Sequence, residues 1–178
     1  MVYLRAATRN DALSISQVHV SSWRTTYRDI VPAQFLDKLN VEQRVPRWEQ
    51  AIDSGAHLIV AEKDNRVVGF ISGGRIRKPL EDHDAELYAI YLLQDAQGKG
   101  IGAALLIELA KCLRDEGHHS MIAWVLTAND ALRFYEKTGA TLISQKEIEI
   151  GGALLPVAAY AWNSIESLAM LPPPSFSE

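Results

Sequence analysis

Cysteine is almost absent from this chain of 178 residues, in which Cys112 is the single example. A lone cysteine excludes a disulfide bond within the chain, and proteins without disulfides are typical of reducing compartments. The first residues alternate polar and apolar side chains and do not show the charged and apolar regions of a secretory signal peptide. These features predict a cytoplasmic protein.

Long apolar runs and an excess of positive charge are missing as well. No apolar segment approaches the roughly 18 residues that a helical membrane span needs. The chain carries 18 Lys and Arg against 22 Asp and Glu, a net charge of -4, and it lacks the basic patch that nucleic-acid-binding proteins use. We therefore expect neither a membrane nor a nucleic acid as a partner.

The chain does contain enough apolar sequence for one sizeable core, because 48% of its residues are hydrophobic. We predict a single domain over residues 1–165. The remaining stretch, 166–178, includes three consecutive prolines at 172–174 and is predicted to be a disordered tail.

Hydrophobic periodicity alternates along the chain between the patterns of strands and helices, which predicts the α/β class. The predicted strands cover about 2–7, 57–63, 66–77, 85–93, 119–126, 141–150 and 154–162. The predicted helices cover about 11–28, 33–39, 41–54, 102–116 and 130–138.

The most informative segment is Gln97-Gly98-Lys99-Gly100-Ile101-Gly102, which joins an apolar strand to the long amphipathic helix. Glycine lets several backbone N–H groups turn toward one point, and a helix N-terminus adds partial positive charge. The segment therefore predicts a phosphate-binding turn. The alternative is a tight turn that needs positive φ and binds nothing.

Two nucleotide-binding patterns can be compared with this turn. A Walker A loop requires Ser or Thr after its lysine, but Gly100 follows Lys99. Gly98, Gly100 and Ala103 fit the dinucleotide fingerprint, yet the next strand ends at Leu126 without the acidic residue that would bind a ribose. Both patterns are disfavoured.

The segment resembles motif A of the GCN5-related N-acetyltransferases, [RQ]-x-x-G-x-[GA], with Gln97, Gly100 and Gly102 in register. The resemblance implies that the turn binds the pyrophosphate of acetyl-CoA and that the preceding strand pairs with the pantetheine arm. The cofactor contacts that it implies are Ile90, Tyr91, Leu92, Gln97, Gly98, Lys99, Gly100, Ile101, Gly102 and Ala103.

A second segment is similar to motif B of the same family, N-x-x-A-x-x-[FL]-Y-x-x-x-G-F. Ala131, Phe134, Tyr135 and Gly139 are in register, but the usual asparagine position holds Ala128, and Asn129 is one residue late. Asn129 either contacts the cofactor or caps the following helix, which is a common role for asparagine. The resemblance places Tyr135 at the cofactor too.

The likeness extends over about residues 3–163, including Val67-Val68-Gly69-Phe70-Ile71 and the late hairpin. It implies the fold of this family, a mixed and mostly antiparallel sheet of about seven strands flanked by helices, whose fourth and fifth strands splay to form a cofactor cleft. It also implies an N-acetyltransferase that uses acetyl-CoA as cosubstrate without a metal, acts on a primary amine of a small molecule or peptide by direct transfer, and can form a homodimer.

Transfer of an acetyl group to an amine needs an acceptor for the amine proton and a donor for the leaving thiolate. The resemblance implies a role for two residues. A carboxylate at the position of Glu86 takes the amine proton in similar family members, and a tyrosine at the position of Tyr135 protonates the thiolate. The alternatives are a surface carboxylate at a strand edge and an aromatic ring used for packing.

The acceptor amine is predicted to bind between the first helices and the loop before the fourth strand, next to Trp23, Tyr27 and His83. Trp23 and Tyr27 share a helix face with His19, although aromatic residues on such a face are more often part of the core. Acids in the loop suit a cationic amine, and the histidines lack the spacing of a metal site. Two other functions remain open: acetylation of protein N-termini or lysines, and a non-catalytic acyl-CoA sensor.

Overall fold

Seven strands form one open sheet at the centre of the protein, of which the computed structural model describes residues 1–176. The strands are β1 (Val2–Ala6), β2 (His57–Lys63), β3 (Arg66–Arg75), β4 (Ala85–Leu92), β5 (Met121–Leu126), β6 (Thr141–Ile150) and β7 (Ala153–Trp162). Their order across the sheet is β1-β2-β3-β4-β5-β7-β6. Every neighbouring pair is antiparallel except β4 and β5, which are parallel.

Six α-helices accompany the sheet within the described residues. They are α1 (Ala12–Thr26), α2 (Ala33–Asp37), α3 (Val41–Asp53), α4 (Ile101–Asp115), α5 (Ala131–Lys137) and α6 (Ile165–Ala169). The first five and all seven strands correspond to predicted elements, so the predicted mixed, mostly antiparallel α/β fold is confirmed. None of these helices is long and apolar enough to cross a membrane.

The helices pack on the sheet through alternating side chains of its strands. Tyr91 on β4 stacks on His19 of α1, with ring centroids 5.1 Å apart. The next residue, Leu92, lies instead beside Gly102 of α4. Helices α1 and α4 therefore cover opposite faces of the strand, and the fully buried Leu105 and Leu109 of α4 fill the core on their side.

The parallel pair β4 and β5 is joined over only three residue pairs, from Ala85 with Met121 to Leu87 with Ala123. Beyond Leu87 the two strands part, and the rest of β4 up to Leu92 has no partner on that side. The splayed fourth and fifth strands that the sequence predicted are therefore present, and they leave backbone N–H and C=O groups of β4 facing an open cleft.

The C-terminal segment differs from the prediction. Residues 165–169 form α6, which packs on α4 and buries Ile165, Leu168 and Ala169. The prediction of a disordered tail from residue 166 is therefore wrong for 166–169, because three apolar side chains on one short helix cover α4. Residues 177 and 178 of that predicted tail lie outside the described part of the chain.

Candidate active site

A cleft of about 1320 Å³ opens where β4 and β5 part. It reaches from the glycine turn before α4, past the free edge of β4, to the ends of α1 and the strands β6 and β7. Most of the residues predicted to bind a cofactor line it: Ile90, Tyr91, Leu92, Gln97, Gly98, Gly100, Gly102, Ala103, Asn129 and Tyr135.

The glycine turn lies at the end of the cleft where α4 begins. Gly98 and Gly100 have φ of 71° and 83°, a backbone conformation that side chains with a Cβ rarely adopt. A Cβ on Gly98 would meet no atom within 4 Å, so the backbone there is open to a ligand. This geometry suits an anion at the amino end of a helix of 15 residues.

Two residues of the turn point away from the cleft. Ile101 is buried in the core with 1% exposure, and Lys99 lies in a separate groove beside Asp64, Arg66 and Asp95. The side chains of Lys99 and Ile101, both predicted as cofactor contacts, are therefore not among those that line the cleft.

The C-terminal segment returns to this turn after α6. A Cβ on Gly100 would lie 3.1 Å from the Cβ of Pro174 and 3.3 Å from the carbonyl oxygen of Ser175. The segment that follows α6 therefore packs against the glycine turn at Gly100.

The end of β4 is fixed by side chains from two other elements. The hydroxyl of Ser22 on α1 and the side-chain amide of Gln97 both donate to the carbonyl oxygen of Leu92, at 3.0 and 3.2 Å. On the adjacent strand, Gly69 permits close contact, because a Cβ there would lie 2.9 Å from Cγ of Leu92. Leu92, the last residue of β4 before the glycine segment, is thereby held in one position.

Tyr135 lies on the wall of the cleft and is 4% exposed. Its ring packs at right angles to that of Trp162, with centroids 5.3 Å apart, and also contacts the rings of Tyr160 and Phe134. Burial raises the pKa of the Tyr135 hydroxyl, and the nearby Tyr91 raises this pKa further. The hydroxyl therefore keeps its proton at neutral pH.

Asn129 precedes α5 and also reaches across the cleft. Its Oδ1 accepts the N–H of Ala131, the first residue of α5, at 3.0 Å, although the N-cap position of this helix is Asp130. The side chain therefore binds the helix start from one residue further back than predicted, because α5 begins at Ala131 and not at Asp130. Its Nδ2 donates to the hydroxyl of Tyr27 at 3.4 Å, although Tyr27 is 102 residues away in the sequence.

Glu86 lies at the closed end of the cleft, where β4 and β5 still pair. It is 4% exposed, so the alternative of a surface carboxylate is wrong. Both of its oxygens accept hydrogen bonds from Arg77: Oε1 from Nη2 at 2.6 Å, and Oε2 from Nε at 3.2 Å and the backbone N–H at 3.1 Å. The Arg77 guanidinium also lies over the ring of Tyr88, 4.6 Å from its centroid.

The predicted acceptor residues divide into two groups. Trp23 and Tyr27 line the cleft, and the edge of one ring meets the face of the other at a centroid distance of 4.7 Å. His83 lies outside it, since its ring nitrogens contact the carbonyl oxygen of Leu80 and the side chain of Asn163. Among residues 1–176, no three His, Cys, Asp or Glu side chains lie together as metal ligands would.

The positively charged side chains that line the cleft were not predicted from the sequence. Arg77, Lys78 and Lys146 line it, and the ammonium of Lys146 lies 3.9 Å from the ring centroid of Trp124. Of the acids predicted to attract a cationic amine, Glu86 lines the cleft, whereas Glu81, Asp82 and Asp84 do not. Asp84 instead accepts the backbone N–H groups of His119 and Ser120. Arg77 lies in the loop after β3 and Lys146 lies on β6, and no local pattern marks either one.

Comparison with known proteins gives two informative relatives. The uncharacterized N-acetyltransferase YuaI of Bacillus subtilis is 37% identical over 171 residues, which are 96% of this chain and 98% of the relative. The L-amino acid N-acyltransferase MnaT of Escherichia coli is 29% identical over 108 residues, which are 60% of this chain and 63% of the relative.

Solved structures show the same fold. The structure of yncA from Salmonella typhimurium, which contains acetyl-CoA, matches with a TM-score of 0.72 and 22% identity over 92% of this chain and 94% of its own. PaiA N-acetyltransferase from Thermoplasma acidophilum, solved with coenzyme A, matches with a TM-score of 0.68 and 22% identity. The match covers 88% of this chain and 98% of that protein. The profile of the acetyltransferase (GNAT) family matches residues 20–140, more than half of the chain, and the chain therefore belongs to the GNAT family of acetyltransferases.

Proposed function

We propose that this protein is an N-acetyltransferase that transfers the acetyl group of acetyl-CoA directly to the primary amine of a small molecule. The observation that carries the proposal is the arrangement of three groups around one cleft. The glycine turn lies at one end, Glu86 at the other, and Tyr135 on the wall.

The glycine turn and the free edge of β4 fit the two parts of coenzyme A. Backbone N–H groups of a glycine-rich turn at a helix N-terminus suit a pyrophosphate. The unpaired backbone of β4 beyond Leu87 can pair with the amide groups of an extended pantetheine arm. The residues that we assign to coenzyme A are Ile90, Tyr91, Leu92, Gln97, Gly98, Gly100, Gly102 and Ala103.

Three groups of the chain serve the transfer step. Acetyl-CoA supplies the acetyl thioester and a thiol leaving group. Glu86 accepts the proton of the attacking amine, directly or through water. The backbone N–H of Leu92 meets the oxygen on which negative charge develops, and Tyr135 gives its proton to the departing sulfur.

Arg77 limits how Glu86 can act. Because the guanidinium already donates to both carboxylate oxygens, a proton must arrive at a remaining lone pair of Oε1 or Oε2. The pair also orients the carboxylate, so that Glu86 points at one place in the cleft.

The charges of the acceptor end favour an amine that also carries an anionic group. Arg77 is 62% exposed, and its Nε and Nη2 face Glu86 while Nη1 is turned away from that pair. Guanidinium and ammonium groups are the usual partners of carboxylates, and Lys146 lies in the same cleft. The name of MnaT, an L-amino acid N-acyltransferase, agrees with this choice.

Calorimetric titration with acetyl-CoA, using NADH and ATP as controls, tests the cofactor. We expect saturable binding of acetyl-CoA only. Binding of NADH in its place would contradict the proposal. Release of free thiol from acetyl-CoA in the presence of candidate amines then tests catalysis, and binding without thiol release across a broad panel would indicate an acyl-CoA sensor.

Pairs of amino acids and their carboxamides test the acceptor class, since the carboxamide lacks the anionic group; rates are compared per neutral amine, because the carboxamide's amine has a lower pKa. We expect a kcat/KM at least about 10-fold higher for the acid than for the amide, the usual effect of one ion pair in a partly enclosed site. Turnover of peptides or protein N-termini without turnover of free amino acids would favour a protein acetyltransferase instead.

A further inference from the structure

The two ends of the cleft lie on opposite faces of the sheet. Gly73 of β3 faces α4, since a Cβ there would lie 2.8 Å from Cδ2 of Leu109. Leu87 of β4 pairs with Gly73 and shares its face, so the neighbouring Glu86 points to the other face, which α1 covers. The glycine turn opens α4 on the first face. A ligand that binds this turn and extends toward Glu86 therefore passes between β4 and β5, and its reaction partner has room on the α1 side.

On the α1 side the cleft continues as a trough, which we call the acceptor pocket. Its floor is one face of three strands: Leu126 of β5 lies opposite Val157 of β7, which lies opposite Lys146 of β6. Its roof is the end of α1 and the turn that follows, with Trp23, Tyr27 and Ile30. Floor and roof meet at the turn between β6 and β7, because a Cβ on Gly151 would lie 2.7 Å from the Cβ of Phe35 in α2.

Strand β6 presents both polar and apolar side chains to the acceptor pocket. Every second residue lines it, as strand geometry requires: Ser144, Lys146, Ile148 and Ile150. Ile148 and Ile150 are half-buried and pack at the edge of the apolar cluster that contains Tyr27 and Val157. The pocket therefore has a cation followed by apolar surface that the chain itself covers only in part.

Lys146 is available to an anionic group of a ligand. None of the ion pairs among residues 1–176 includes it, and its ammonium lies over the ring of Trp124 instead. Neighbouring side chains on one face of a strand are two residues, or about 6.6 Å, apart. A carboxylate bound at Lys146 would thus place an attached side chain of about four carbon atoms against Ile148.

We infer that the acceptor is an amino acid with a large apolar side chain, and that Ile148 and Ile150 determine this specificity. The carboxylate binds Lys146 and Arg77, and the side chain lies between the two isoleucines and the aromatic roof. The inference rests on the proposed function. The transfer forms the bond between the α-amine nitrogen and the acetyl carbon and breaks the C–S bond, with the amine proton going to Glu86 and coenzyme A leaving as a thiol.

A homologous series of acceptors tests the inference on the unaltered protein. Glycine, alanine, 2-aminobutyrate, norvaline and norleucine share the amine and the carboxylate, and each of the last four adds one CH2. We expect kcat/KM to rise about 4-fold with each CH2, the usual effect of burying one methylene, and at least about 100-fold over the series. Leucine and asparagine have nearly the same size, and we expect leucine to be favoured at least about 10-fold.

Threonine substitutions on β6 test the assigned residues. Ile148→Thr and Ile150→Thr keep the β-branched shape but shorten the side chain and add a hydroxyl. Each is expected to lower the ratio of kcat/KM for norleucine to that for glycine about 10-fold, because glycine has no side chain to bind. Leu154→Thr on β7 is the matched control, since Leu154 is 66% exposed and lies outside the cleft, and its ratio is expected to equal that of wild type.

The outcomes separate this inference from the proposed function. Turnover of glycine and norleucine with equal kcat/KM would overturn the inference and leave the acetyltransferase intact. Equal losses for both acceptors in the Ile148 and Ile150 variants would overturn the assignment of these residues, because they would show an effect on folding or on the transfer step alone. Binding of acetyl-CoA without turnover of any amine would overturn the proposed function, and the inference with it.

Discussion

The surroundings of Tyr135, which we propose as the proton donor, fix both its position and its protonation state. Its ring is held between Trp162, Tyr160 and Phe134, which fixes where the hydroxyl points. Burial raises the pKa of its hydroxyl, which keeps the hydroxyl protonated at neutral pH and also makes it a weaker acid than an exposed tyrosine.

Replacement of Tyr135 by Phe removes the hydroxyl and retains the packing. We expect kcat to fall about 10- to 1000-fold, the usual range for a lost general acid, with little change in affinity for acetyl-CoA. Thiol-release kinetics measure the first quantity and calorimetry the second. A kcat equal to that of wild type would remove Tyr135 from the mechanism.

Gly98 offers the cleanest test of the phosphate-binding turn. A Cβ there meets no atom within 4 Å, and both Asn and Asp tolerate positive φ better than other residues. Gly98→Asp and Gly98→Asn have side chains of nearly equal size and differ in charge. We expect the Asp variant to bind acetyl-CoA at least about 10-fold more weakly than the Asn variant, because its carboxylate faces the phosphates.

Equal dissociation constants for the two Gly98 variants would place the phosphates elsewhere. Gly100 is a poorer position for this comparison, since any side chain there would also press on Pro174 and Ser175.

At the level of elements, the site depends on how closely α4 packs on the sheet. Gly73 on β3 is the point of contact, because a Cβ there would lie 2.8 Å from Cδ2 of Leu109 and 2.9 Å from the carbonyl oxygen of Glu86. The missing side chain thus lets the helix that begins at the glycine turn approach the strand that carries Glu86.

We expect Gly73→Ala to lower the free energy of unfolding by about 1–3 kcal/mol, the usual cost of overpacking. Gly74→Ala on the same strand is the matched control. Its Cβ would meet the hydroxyl of Tyr88, at the far end of a side chain that can move, so its cost is smaller. Urea unfolding of the two variants makes the comparison, and equal losses would contradict this account of the α4 contact.

Helix α6 shows the limit of pattern reasoning for short elements. It has five residues, fewer than two turns, and a segment of that length shows little helical periodicity. It forms because Ile165, Leu168 and Ala169 pack against α4. The hydroxyl of Ser164 also accepts the N–H of Ser167 and so caps the helix. Packing against a partner distant in the sequence therefore decides this helix.

For the whole molecule, His19 links stability to pH. Burial, followed by the charge of Arg44, lowers the pKa of His19 to about 3. In the unfolded chain the same histidine titrates near 6.5. The unfolded state therefore binds a proton at pH 5 that the folded state does not, and folding stability falls as the pH falls from about 6.5 toward 3.

The contribution of His19 can be isolated with His19→Phe, which keeps a ring against Tyr91. Between pH 6 and pH 5 we expect the wild type to lose roughly 1 kcal/mol more unfolding free energy than the variant, close to the limit for one proton. Urea unfolding at pH 7, 6 and 5 gives the slopes. Identical slopes would show that His19 is protonated equally in the folded and unfolded chains.

The sequence by itself determined the order of the elements and the family. Periodicity and turn residues locate seven strands and five helices because these signals are local, and the spacing of the glycines before α4 and of Ala131, Phe134 and Tyr135 carries the resemblance. Most of the residues predicted to bind the cofactor lie in two short contiguous segments, and the structure brings them together in one cleft.

Only the tertiary structure decided the contacts at the end of the cleft to which we assign the acceptor. The contact of Asn129 with Tyr27 joins residues 102 positions apart. The pairing of Arg77 with Glu86 and the place of Lys146 over Trp124 join separate elements of the fold. The structure also shows that Lys99, Ile101 and His83, which were predicted site residues, do not line the cleft. Side-chain direction and contacts between distant segments follow from how the sheet and helices pack, and a linear pattern of residue types does not contain that information.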